Sequence, residues 1–173
     1  YAANTDPAAV KKLVLDPQLL PGFSDSGAHI TNMAFYDVNL RALKIASEDG
    51  LEQVSYMIKR LTREPAEFFG LDAGTIEIGD VADVTLIDPD ELAEYDGEAN
   101  VQSVYRDAFE HHQLVNRSEG VVPMVVVGGN VAWDGADFTN EFRKVRMGRA
   151  LRSQRTLKDD AQHTSLSMAA AAE

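Results

Sequence analysis

The chain has 173 residues, enough for one domain or one and a half, and its 45% apolar and 25% charged content is that of an ordinary globular protein. Sixteen Lys and Arg against 28 Asp and Glu leave a net charge of −12, which repels nucleic acid and anionic membrane and sets both aside as partners. Cysteine is absent, so disulfides and thiolate ligands are excluded. A reducing compartment is thereby admitted. No signal-peptide pattern and no apolar run near the ~20 residues of a membrane span occur, and the cytoplasm is the expected location.

The first helix is announced by Asp6-Pro7, a capping carboxylate followed by a proline where the missing N–H costs nothing. Val10, Leu13 and Val14 recur at helical spacing, and Asp16-Pro17 ends the run because a residue before proline avoids the α region. "QLLPGFSD", residues 18–25, reads as a short buried strand interrupted by Pro21 and Gly22. A helix is expected over 38–50, closed by Gly50. A second follows over 50–62 with Leu51, Val54, Ile58 and Leu61 on one buried face. A third helical piece, 62–71, has Thr62 as cap, Phe68 and Phe69 as apolar anchors and Gly70 as stop.

Beyond residue 71 the pattern turns to β. "GTIEIGDVADVTLIDPD" alternates β-branched residues around Gly79-Asp80. "VVPMVVVGGNVAWDG" sets two apolar runs about Gly128-Gly129-Asn130, a hairpin signal. Residues 90–120 between them are polar and read as loop-rich, and the last stretch, from Leu151, shows little apolar periodicity and reads as mobile. No internal repeat is present. The layout is α/β first and all-β second.

The stretch that carries chemistry is "GFSDSGAH", residues 22–29: an apolar run that stops on a carboxylate flanked by small residues. Taken alone it is a turn, in which Asp bonds a backbone amide two residues on. Its meaning changes with two further blocks in order, "LTREPAEFFGLDAGTIEIGDVADVTLIDP" and "MVVVGGNVAWDG…GRALR". Together the three resemble the C-terminal part of a metal-dependent amidohydrolase, most closely the N-acyl-D-amino-acid deacylase (D-aminoacylase-like) branch. The resemblance covers roughly residues 1–152.

What that resemblance implies is specific. Residues 1–70 would be the last helix-strand units of a distorted (β/α)₈ barrel, residues 71–145 part of a small β-sandwich domain, and 146–173 a terminal segment and tail. Asp25 would stand at the C-terminal mouth of the eighth strand, where barrel enzymes place their active sites. There it would act as the base and as a shared metal ligand, with Ser26, Gly27 and His29 against the substrate. The reaction would be metal-dependent hydrolysis of a C–N amide bond, on an N-acyl amino acid or related small-molecule amide. Cyclic-amide hydrolysis, as in dihydroorotases and hydantoinases, is the alternative, and a non-catalytic amidohydrolase-like scaffold the other.

The same resemblance marks what this chain does not supply. Such enzymes carry a His-x-His pair after the first strand, and the four histidines here, His29, His111, His112 and His163, form none. A whole barrel needs about 250 residues. The chain, which opens on Tyr1, is therefore expected to be an incomplete fragment whose zinc or other divalent metal is held mainly by an N-terminal part outside it; a homo-oligomer is admitted. Asn32 and Met33 are further candidates for the pocket wall. His111 and His112, adjacent on a strand, would point to opposite faces and serve packing or solvent. Arg60 and Arg63 are expected on a solvated helix face, and Trp133 in β packing. The acidic run "DPDELAEYDGE" lacks EF-hand spacing and reads as a solvated loop.

Overall fold

A computed structural model describes residues 6–20, 31–116, 118 and 120–154. Helix α1 spans Pro7–Leu15 and starts as its sequence demands. The Asp6 carboxylate accepts from Ala8 N at 3.0 Å and Ala9 N at 3.4 Å, and Pro7 occupies the first turn, an arrangement that stabilises by about 1 kcal/mol. Asp16, extended ahead of Pro17, ends it. Residues 17–20 then form a turn rather than the expected strand start, and Leu19 and Leu20 are exposed. The reason lies in Asp16, whose carboxylate accepts from Gln18 N at 2.9 Å and closes an Asx turn across Pro17.

Strand β1, Asn32–Met33, is followed by a 3-10 turn, Ala34–Asp37, and by three helices: α2 Val38–Ser47, α3 Leu51–Leu61 and α4 Arg63–Phe69. Leu40, Ala42, Leu43 and Ala46 of α2 are buried and meet Met57 of α3. A fully buried Leu or Met side chain stabilises by about 1.5–3 kcal/mol, so this contact is the centre of the helical layer. The face of α3 is rotated from the expected one. Leu51 and Ile58 lie in solvent, while Met57 and Arg60 are buried and Val54 and Leu61 are partly so. Leu51 stands at the first position of the helix, directly after Gly50, where α3 has only just left its turn with α2.

Helix α4 ends where Gly70 adopts the left-handed conformation (φ 64°) and its amide, with that of Leu71, reaches back to the last turn at Ala66 and Glu67. Thr62 does not cap α4. Its hydroxyl donates instead to Ile58 O of the preceding helix at 2.8 Å. Phe68 and Phe69 are not core anchors either: both are more than half exposed and pack edge-to-face on one another at 5.0 Å.

Of the alternating stretch 74–90, only β2, Val84–Leu86, is a strand. Upstream, the Asp80 carboxylate accepts from Thr75 Oγ1 at 2.6 Å and Glu77 N at 2.8 Å, which closes a turn and leaves Ile76 and Ile78 outside. These bonds also hold the Asp80 carboxyl below its usual range. β2 pairs antiparallel with β5, Met124–Val127, and β5 with β6, Asn130–Trp133, around a two-residue turn whose Gly128 and Gly129 both have positive φ (56° and 81°). The Gly-Gly hairpin is as expected.

Residues 90–120 differ most from expectation. They hold helix α5, Pro89–Glu94, and a hairpin of β3, Val101–Arg106, with β4, His111–Asn116. Asp88 caps α5 through Asp90 N and Glu91 N. The acidic run is thus partly helical, and its Leu92 and Tyr95 are buried against α2. The hairpin escaped a hydropathy reading because its strands carry Gln, Ser, His and Asn on both faces. Strand β1 lies parallel to β4, with Asn32 opposite Leu114 and Met33 opposite Val115. Two sheets result among the described residues, β1-β4-β3 and β2-β5-β6. The core joins α2 and α3 to Leu92, Tyr95 and Val121, so packing runs across residue 70.

Candidate functional site

Asp25, Ser26, Gly27 and His29 lie outside the described residues, as does His163. What the structure positions is the chain on their C-terminal side. Thr31 O accepts from Leu114 N at 2.7 Å, and Asn32-Met33 continue alongside β4. Six residues past Thr31 stands Asp37, 6% exposed, at the N-terminal boundary of α2.

Asp37 is the hub of a buried polar cluster that hydropathy could not reveal. Its Oδ2 accepts from Arg41 Nε at 2.7 Å, from the Tyr95 hydroxyl at 2.8 Å and from Asn116 Nδ2 at 3.1 Å. Arg41 is the one partner that periodicity offers, at the i+4 position of the same helix. Tyr95 and Asn116 arrive from 58 and 79 residues away. Asn116 Nδ2 also donates to Gly97 O at 2.6 Å, which fixes the orientation of its amide, and Lys44 Nζ donates to Tyr95 O. Gly97 is required for space. A Cβ there would collide with Asp37 Oδ2 and the Arg41 guanidinium. Burial, and then the Asp37 carboxylate beside it, push the Tyr95 phenol well above its ordinary value.

Arg60 is not solvated. It is 1% exposed, and its guanidinium donates to Val14 O and Leu19 O, with Glu64 3.8 Å from Nε and the Tyr56 ring 5.5 Å away. It fastens the end of α1 and the following turn to α3. A long donor-rich side chain can do this from a helix face that otherwise buries methionine. Arg63 is exposed and pairs with Glu67 at 2.6 Å. His111 and His112 are both exposed. His112 Nδ1 lies 3.1 Å from Ser103 Oγ, and its ring packs edge-on against Tyr105. Asn32 is half-buried on β1. Trp133 packs as expected, donating Nε1–H to Val122 O at 3.0 Å with its ring against Phe138.

An open cleft of about 900 Å³ lies along the β5-β6 hairpin, walled by Val125, Val127, Trp133, Phe138 and Phe142, with Asn116 and Ser118 at its polar end. Among the described residues no three His, Asp or Glu side chains come together as a metal cage. The described donor set therefore does not fit a divalent metal on its own. No helix among the described residues is long and apolar enough to cross a membrane.

Comparison with known proteins gives two kinds of likeness. Proteins of Mycobacterium tuberculosis and Mycobacterium bovis, both called uncharacterized, are 39% identical to the chain over 165 residues, covering 87% of it and 26% of their own length. The dihydroorotases of Bacillus thuringiensis and Bacillus cereus are 32% identical over 84 residues, covering 49% of the chain and 19% of the enzymes. No family model and no solved structure matches. The chain thus spans about a quarter of the length of its mycobacterial relatives, and half of it is similar to a stretch of dihydroorotase.

Proposed function

We propose that the full-length protein carrying this chain hydrolyses a C–N amide bond by amidohydrolase chemistry, with Asp25 as the base. The observation that carries the reading is the partial likeness to dihydroorotases, which falls on a chain whose motifs resemble the same superfamily. Asp25 would accept the proton of the attacking water and return it to the leaving nitrogen, so that the amine departs neutral. Ser26 and Gly27 would leave room for the substrate beside it, and His29 would orient the carboxylate or touch the substrate. A divalent metal, zinc foremost, belongs to this reading as a group held by residues outside the chain.

The substrate class we favour is an N-acyl amino acid, on the Ser-Asp-Ser-Gly-Ala-His context of Asp25. The dihydroorotase likeness supports a cyclic amide as second reading. Two probes separate them: an N-acetyl-D-amino acid and dihydroorotate, each offered to the metal-supplemented full-length protein. Asp25→Asn should largely abolish turnover of whichever is used while circular dichroism stays that of the wild type. Near-normal kcat in a folded Asp25→Asn protein would remove Asp25 from the role.

A further inference from the structure

The basic side chains of this acidic chain are not spread evenly. Five of its sixteen Lys and Arg fall within residues 143–152, where no Asp or Glu occurs, against a net charge of −12 overall. The opposite concentration is residues 88–98, with six Asp and Glu and no Lys or Arg. A run of like charge repels itself and is favourable only in water or beside opposite charge. The two runs do not neutralise one another within the chain. Arg149 pairs with Asp72 at 3.0 Å, and the Arg143 guanidinium lies 5.5 Å from the Phe142 ring. Among the described residues, Lys144, Arg146 and Arg152 have no carboxylate at ion-pair distance, and Asp90, Glu94 and Glu98 have no cation.

The basic run is held in place although it forms neither helix nor strand. Ahead of it, Thr139 N donates to Ala132 O at 3.1 Å and the Thr139 hydroxyl to Val131 O at 2.7 Å, both on β6. At its far end, Arg149 donates to Asp72 O at 2.6 Å and Gln154 N to Gly70 O at 2.8 Å, just past α4. Midway, Met147 O lies over Gly128 and leaves no room for a side chain there. Arg143 has φ 67°, a left-handed conformation that residues with a Cβ avoid. Strain of this kind gathers at ligand clamps. All five cations of the ribbon are exposed, and Val145 and Leu151 between them are 50% and 47% exposed.

We propose that residues 143–152 are an interaction surface for a second copy of this protein, whose residues 88–98 supply the opposing charge. The acidic run is displayed in its turn. With α5 capped by Asp88, Leu92 and Tyr95 are buried while Asp90, Glu91, Glu94 and Glu98 stand in solvent. Charge selects the partner. A second copy brings an acidic surface that its own chain leaves unpaired, whereas nucleic acid or an anionic membrane would meet the field of all the other carboxylates as well. One exposed ion pair contributes little. Several in register, with Val145 and Leu151 among them, make a contact that forms quickly, is selective and weakens with salt.

The test reverses charge on each side in the full-length protein. One variant carries Lys144→Glu, Arg146→Glu and Arg152→Glu, the other Asp90→Lys, Glu94→Lys and Glu98→Lys. All six side chains are exposed, so circular dichroism should stay that of the wild type. In sedimentation velocity the wild type should associate at about 0.1 M salt, with an apparent Kd about tenfold weaker at about 1 M, as the Debye length falls from ~10 to ~3 Å. Each variant alone should lose about tenfold or more in affinity for itself. An equimolar mixture of the two should recover it, because each reversed run then meets its opposite. A mixture that does not recover overturns the proposal, as does a wild type that stays monomeric at low salt or associates more strongly as salt rises. Wild-type binding to heparin or to phosphatidylserine vesicles that the Lys144/Arg146/Arg152 variant loses, with the oligomeric state unmoved in both variants, overturns it too and assigns the ribbon to a polyanion.

Discussion

Expressed on its own, this chain should self-associate. The described residues leave large apolar side chains uncovered, and burying one such side chain fully is worth about 1.5–3 kcal/mol. Ile78 is fully exposed, Leu51 and Ile76 are 84% exposed, and Phe68, Phe69 and Phe138 each show more than half of their surface. The aromatic cleft along β5 and β6 adds an uncovered apolar wall. Large apolar side chains left this exposed on a monomer favour contact with another surface. Sedimentation velocity at increasing concentration should show growing species rather than one boundary, a hydrophobic dye should bind, and metal analysis should find no stoichiometric zinc. A single 18.9 kDa species at every concentration, silent to the dye, would refute the reasoning, and one tightly held zinc would refute its metal part.

Two further outcomes follow from buried polar groups. Removing the Arg60 side chain with Arg60→Ala deprives Val14 O and Leu19 O of charge-assisted donors and opens a void, and should loosen α1 by about 3–5 kcal/mol; Arg60→Met, which refills the volume and sheds a buried charge, should cost about 1–3. Amide exchange in Pro7–Leu15 measures both, and equal rates in wild type and both variants would show that the guanidinium does not hold α1. The Tyr95 phenol is raised above its unfolded value, so its share of stability is complete below about pH 10 and is lost as pH climbs from there toward the higher folded value. In tyrosinate absorbance one phenol should lag the others until unfolding, and Tyr95→Phe should remove that lag together with part of the alkaline loss of stability. A wild-type titration without a lagging phenol would contradict the burial argument.

The sequence was most readable where a local rule acts alone. Asp6-Pro7, Asp16-Pro17, Gly70 and Gly128-Gly129 are each decided within a few residues, by a cap, a steric clash or a left-handed backbone, and each stands where it was read. Thr62 was misread because its hydroxyl had two backbone suitors and took Ile58 O. Ile76 and Ile78 were misread because alternation implies a sheet partner, whereas Asp80 folds that stretch into a turn. The β3-β4 hairpin was hidden because its strands carry polar residues on both faces, and the Asp37 cluster because its partners Tyr95 and Asn116 lie 58 and 79 residues away, where a single sequence does not show which Asn will meet which Asp. Of the proposed site, Asp25 was read from the family resemblance and lies outside the described residues, whereas the Asp37 cluster gave no signal in the sequence.

The parallel pairing of β1 with β4 carries a kinetic consequence. Local pieces such as α2-α3 and the Gly-Gly hairpin can assemble early, since few residues separate their partners. The contact that brings Asp37 to Asn116 must close a span of 79 residues before it returns any favourable energy. Strand β1 should thus be among the last parts of this chain to settle during folding, and the first to fray when the protein is warmed.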